Sequence, residues 1–184
     1  MTRPPRHRPR PAPKLSKPVA LVGMMGAGKS VIGRRLAKRL AVPFFDADRE
    51  IETAAGRSVA DIFTDFGEEE FRRGERAVIT RLVQEGLHVL ALGGGAFLNA
   101  ETRELLHAKA TTVWLKADLD TLVERVSRRD TRPLLHNRDP QEVLSKLMHD
   151  RDPIYAQADL SVESSDGPPD RVVEAILKLL RTVG

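Results

Sequence analysis

The octet Gly23-Met24-Met25-Gly26-Ala27-Gly28-Lys29-Ser30 constrains this chain more than any other stretch. A glycine, four free positions and then Gly-Lys-Ser is the pattern of a phosphate-binding loop, whose backbone N–H groups curl around an anion. Lys29 would reach the β and γ phosphates, and the Ser30 hydroxyl is a ligand suited to Mg²⁺. The flanks agree with that reading. Val19-Ala20-Leu21-Val22 is a short apolar strand, and Ile32, Leu36 and Leu40 repeat on one face of a helix. Strand, glycine turn and helix together point to a bound nucleoside triphosphate.

The chain has 184 residues and no cysteine, which predicts one domain without disulfides or thiolate metal sites. No apolar run is long enough to span a membrane and no secretory leader is apparent, so a cytoplasmic location is expected. The net charge of +4 hides an asymmetry. Arg3, Arg6, Arg8, Arg10, Lys14 and Lys17 stand in residues 1 to 17 without any acid, and the remaining 24 of the 30 basic residues face all 26 acidic ones. Rich in proline and arginine, residues 1 to 17 are expected to be a disordered extension. Weak contact with an anionic surface is open to it; nucleic acid is not expected as a partner, since no folded reader accompanies the tail.

From residue 18 onward, strands and helices alternate. Val42-Pro43-Phe44-Phe45 reads as a second strand running into Asp46-Ala47-Asp48, followed by helical pattern from Asp48 to about Gln84 with breaks at Gly56 and Gly67. His88 to Leu92 is a buried strand ending in Gly93-Gly94-Gly95, and Asn99 is placed to cap a helix through His107. Thr111 to Leu115 is the next strand, with a helix from Asp118 to about Arg128. Residues 129 to 140 lose all periodicity and read as a long loop. A helix resumes near Gln141, Leu160-Ser161-Val162 is the last strand, and Val172, Val173, Ile176, Leu177 and Leu180 mark a closing amphipathic helix. Such alternation predicts an α/β fold: a five-stranded parallel sheet with helices on both faces, its ligands at the carboxyl ends of the strands.

Those ends carry the phosphate loop, Asp46, Asp48 and the three glycines. In many nucleotide-binding proteins of this kind the third strand ends in the aspartate that helps to hold Mg²⁺, whereas here it ends in glycines. Asp46 and Asp48 are the remaining candidates; on an extended backbone they would share one side, one near the metal and the other near the acceptor, unless one of them caps the helix expected near Arg49. The glycines allow a ligand close to the backbone, or else form an ordinary tight strand exit. Arg72 and Arg73, after Phe71, and Arg151, before Pro153 and Tyr155, come from separate segments, and two such guanidiniums can clamp a carboxylate, although either alone suits a solvated surface.

Taken in order, GMMGAGKS at 23 to 30, DAD at 46 to 48, FRRGE at 71 to 75, GGG at 93 to 95, RPLL at 132 to 135 and RDPIY at 151 to 155 resemble the motifs of the shikimate kinases. The resemblance covers residues 18 to 184. It implies a three-layer P-loop kinase fold with a mobile lid at about residues 129 to 140. It further implies ATP-dependent phosphorylation of the 3-hydroxyl of shikimate, in the route to chorismate and the aromatic amino acids, with ATP and Mg²⁺ as cofactors. Carried onto these positions, Gly26, Ala27, Gly28, Lys29, Ser30 and Val31 bind the phosphates. Ser30 and Asp46 serve the metal, Asp46 through water. Asp48 holds the substrate hydroxyls and stands where the attacking proton is accepted or the alcohol merely oriented. Arg72 and Arg151 clamp the carboxylate beside Gly94 and Gly95. Arg132 arrives with the lid to act with Lys29 at the γ-phosphate, and Arg125 or Arg128 lies beside adenine. A monomer without membrane contact is expected.

Two features depart from that pattern: many members carry threonine where Val31 stands, and residues 1 to 17 fall outside it. The rival expectations are a gluconate kinase-like enzyme, disfavoured by Arg72, Arg151 and the glycines, and a nucleic-acid-binding regulator using the basic extension.

Overall fold

The computed structural model describes residues 12 to 128, 139 to 164 and 167 to 183. Its centre is a parallel sheet of β1 (Val19–Val22), β2 (Phe44–Asp46), β3 (Val89–Ala91), β4 (Thr111–Lys116) and β5 (Leu160–Glu163), in the spatial order β2-β3-β1-β4-β5. Leu21 aligns with Ala91 on one side and Val113 on the other. All of β1 and β3 is buried and β4 is buried except at its ends, which is why these strands read as continuous apolar runs; the edge strands are partly exposed.

Seven α-helices occur among the described residues: α1 (Lys29–Leu40), α2 (Ala47–Ala55), α3 (Val59–Leu82), α4 (Ala100–Lys109), α5 (Leu119–Ser127), α6 (Pro140–Tyr155) and α7 (Pro169–Val183), with a short 3₁₀ turn at Ala96–Leu98. The chain steps one way across the sheet from β1 to β2 and the other way in every later crossover. Right-handed connections therefore place α1 on one face and α2 to α6 on the other, and α7 returns to pack on α1. Here the expected α/β architecture and five-stranded parallel sheet are present.

Local chemistry sets the helix ends. The side chains of Ser58, Asn99, Asp118 and Asp139 accept hydrogen bonds from first-turn amides of α3, α4, α5 and α6, with Asn99 to Thr102 N at 2.9 Å as the sequence predicts. Gly56 closes α2 in the left-handed region at φ 63°. Gly67, at φ 80° and ψ 176°, breaks α3 into two segments with a conformation that suits glycine alone. On α7, Val173, Ile176 and Leu177 are buried, and burial of each such side chain stabilises the fold by about 1.5–3 kcal/mol.

One sequence expectation needs adjustment, and two fall wholly or partly outside the described residues. The extended backbone after β2 does not persist: the strand stops at Asp46 and α2 starts at Ala47, so Asp48 sits in a first helical turn rather than on a strand. Of residues 1 to 17, residues 1 to 11 lie outside the described residues, while Leu15 is half-buried against the core. The lid expected at about 129 to 140 lies outside them as well, Asp139 and Pro140 excepted.

Candidate active site

A cavity of about 910 Å³ opens at the carboxyl ends of the strands, where the phosphate loop, the end of β2 and the glycines after β3 converge. Its size is ample for a nucleotide. Gly26, Gly28, Lys29, Ser30 and Val31 line it from the loop and the start of α1, with Val31 39% exposed, while Ala27 turns its methyl into the core. Positive φ angles at Gly26 (83°) and Gly28 (91°) hold the loop's curl. Lys29 Nζ donates to the carbonyls of Gly23 at 2.7 Å and Met24 at 2.9 Å, so the ammonium is held across the mouth of the loop.

Ser30 Oγ donates to Asp46 Oδ2 at 2.6 Å, bringing two hard oxygen ligands together although they are 16 residues apart. Asp46 occupies the N-cap position of α2, yet its side chain makes no capping bond, so the structural use of that aspartate gives way to the contact with Ser30. Asp48 lines the same cavity. Burial, followed by repulsion from the Asp46 carboxylate, raises its pKa, and Lys29 and Arg72 act in the opposite direction.

The glycines leave room for charged groups rather than for an ordinary turn. A methyl group on Gly93 would lie 2.8 Å from Asp48 Oδ1 and 3.1 Å from Glu75 Oε1. One on Gly95 would lie 2.7 Å from Arg72 Cζ, and one on Gly94 would lie 3.7 Å from Arg151 Nη1. Arg72 and Arg151, from α3 and α6, thus approach the glycine turn, of which Gly93 and Gly94 line the cavity. Arg73 turns away to an exposed pair with Glu70. Tyr155 is fully buried and donates its hydroxyl to the Gly94 carbonyl; burial pushes its phenol up, with Arg151 opposing.

Sequence reasoning passed over Glu75. Its side chain is 3% exposed, accepts from Arg72 Nη1 at 2.7 Å through Oε2, and leaves Oε1 without a partner among the described residues. Burial raises its pKa, against the hydrogen bond from Arg72. The available signal was the i, i+3 spacing of Arg72 and Glu75 within FRRGE. On the other flank, Arg125 and Arg128 both line the cavity; Arg125 Nη1 donates to Gly26 O at 3.3 Å, and Arg128 pairs with the exposed Glu124. Arg132 lies outside the described residues.

Known proteins resemble this chain in sequence and fold. A family model described as shikimate kinase matches residues 25 to 181. The shikimate kinase of Caulobacter vibrioides is 56% identical over 170 residues, which cover 92% of this chain and 85% of that protein. That of Bradyrhizobium diazoefficiens is 51% identical over 166 residues, covering 90% and 80%. Among solved structures, a shikimate kinase from Acinetobacter baumannii in complex with shikimate superposes with a TM-score of 0.86 at 37% identity, covering 91% of this chain and 94% of that one. With its phosphate loop, acids and arginines set around one cavity, this chain belongs to the shikimate kinase family.

Proposed function

We infer that the protein transfers the γ-phosphoryl group of ATP to the 3-hydroxyl of shikimate, giving shikimate 3-phosphate and ADP. The observation that carries this reading is a phosphate loop and two aspartates lining one cavity, with Arg72 and Arg151 from separate helices beside the glycine turn at its edge. The loop amides cradle the phosphates, and Lys29 exchanges its carbonyl partners for phosphate oxygens. Ser30 and Asp46 are the residues that would hold Mg²⁺, Asp46 through water. When bound, the ion neutralises charge on the β and γ phosphates.

Arg72 and Arg151 fix the acceptor by its carboxylate, and Asp48 directs the 3-hydroxyl. That oxygen bonds to the γ-phosphorus as the bond from phosphorus to the β,γ-bridging oxygen breaks, and the hydroxyl proton leaves toward Asp48. Arg132 completes charge neutralisation from the lid, and exclusion of water from the covered site limits ATP hydrolysis. No helix among the described residues is long and apolar enough to cross a membrane, and we place the enzyme in the cytoplasm. Residues 18 to 184 form the catalytic unit. A coupled assay with ATP, Mg²⁺ and shikimate, with gluconate as the control acceptor, tests the reading: ADP release that depends on shikimate supports it, and equal release with gluconate or with neither sinks it.

A further inference from the structure

Ser164 directly follows β5, is 1% exposed, and carries the hydroxyl on which three separate segments meet. Its Oγ donates to the carbonyl of Ala27 at 2.8 Å and accepts from Arg125 Nη1 at 3.2 Å. The same Arg125 nitrogen reaches the carbonyl of Gly26 at 3.3 Å, and Ser164 N donates to Lys116 O at 2.6 Å, tying the residue to the end of β4. The cause lies in the phosphate loop. When a loop turns its N–H groups inward to an anion, its carbonyls face outward into protein, where a buried acceptor without a donor costs about 1–3 kcal/mol. Ser164 and Arg125 supply donors to two such carbonyls, and the lone pair left on Ser164 Oγ fixes the guanidinium that lines the cavity.

We propose that Ser164 is a positioning residue for the nucleotide: through Ala27 it holds the curl of the phosphate loop, and through Arg125 it sets the cation beside the base. The proposal rests on the reading of this cavity as the ATP site. It touches neither Arg72 nor Asp48, so its effect is confined to the nucleotide half. The test compares Ser164→Ala and Ser164→Thr with the wild type, measuring ADP dissociation by calorimetry, KM for ATP and for shikimate, and thermal midpoint. Ser164→Ala should weaken ADP and raise KM for ATP by about five- to tenfold, with KM for shikimate within about twofold, and Ser164→Thr should restore ADP affinity by returning the hydroxyl. Unchanged ADP affinity in Ser164→Ala, an equal rise in both KM values, or no rescue by threonine would overturn the proposal. Should the alanine variant not fold, Ser164→Cys keeps the volume while weakening the donor, and the same comparison decides. A wild type that neither binds ADP nor phosphorylates shikimate overturns the ATP-site reading along with it, whereas an active wild type with an indifferent Ser164 overturns this inference alone.

Discussion

Glu75 grips Arg72 from beneath: its buried carboxylate receives Arg72 Nη1 at 2.7 Å, on the side of the helix that faces the glycine turn. The pair lies one turn of α3 apart, so the guanidinium is directed before any acceptor arrives. Arg72→Ala should cost about 2–4 kcal/mol in kcat/KM for shikimate, mostly through KM, because a bound carboxylate loses its partner. Glu75→Ala should raise the same KM by roughly tenfold while leaving KM for ATP alone, since Arg72 remains but is no longer held. Steady-state kinetics on both variants checks this, and an unchanged KM for shikimate in Arg72→Ala would refute the clamp.

The role proposed for Asp48 is a different one. Asp48→Asn retains shape and hydrogen bonding but cannot take a proton, so kcat should fall by about 10²–10⁴ while ADP affinity stays within about twofold. Single-turnover kinetics beside calorimetry separates the two effects. Wild-type turnover in this variant would remove Asp48 from the reaction.

Gly95 gives a cleaner separation of folding from function. Its φ of −94° suits any residue, and the group an added methyl would meet is the far end of the Arg72 side chain rather than backbone. Gly95→Ala should therefore leave the thermal midpoint within a few degrees and lower kcat/KM for shikimate by roughly ten- to a hundredfold. A variant with full activity would show that the clamp tolerates displacement.

His88 reports on stability rather than chemistry. The ring is fully buried, Nδ1 donates to the Gly86 carbonyl at 2.9 Å, and Nε2 has no partner among the described residues. Burial therefore lowers its pKa below the ordinary 6.5. A group depressed in this way is neutral in the folded state while the unfolded chain takes up a proton, so stability is lost as pH falls below the ordinary value toward the folded one. His88→Asn keeps a donor near the Nδ1 position and removes the titration. Between about pH 7 and pH 5 the wild type should lose stability faster than the variant in urea unfolding, and parallel slopes would exclude His88 as the source.

How much of this could be read from residues alone differed by the kind of signal. The phosphate loop, the cap at Asn99 and the break at Gly67 are dictated by backbone chemistry that few other residues satisfy, and each stands where the pattern placed it. The turn after β2 was less legible. Whether the chain stays extended through Asp48 or enters a helix at Ala47 depends on contacts with α3 and β3 that no short window contains. Glu75 and Ser164 were hidden for another reason. Each is a single polar residue whose meaning comes from burial against a partner brought by a different part of the fold, or by one helical turn that only tertiary packing covers.

The position of β1, with β3 and β2 on one flank and β4 and β5 on the other, divides the labour of the molecule along its central strand. In the proposed reaction, acceptor recognition would draw on Asp48, Arg72 and the glycines after β3, and the adenine side on α5 and the end of β5. Retooling the chain for another alcohol would thus be a one-sided remodelling, leaving the machinery that delivers the phosphoryl group intact.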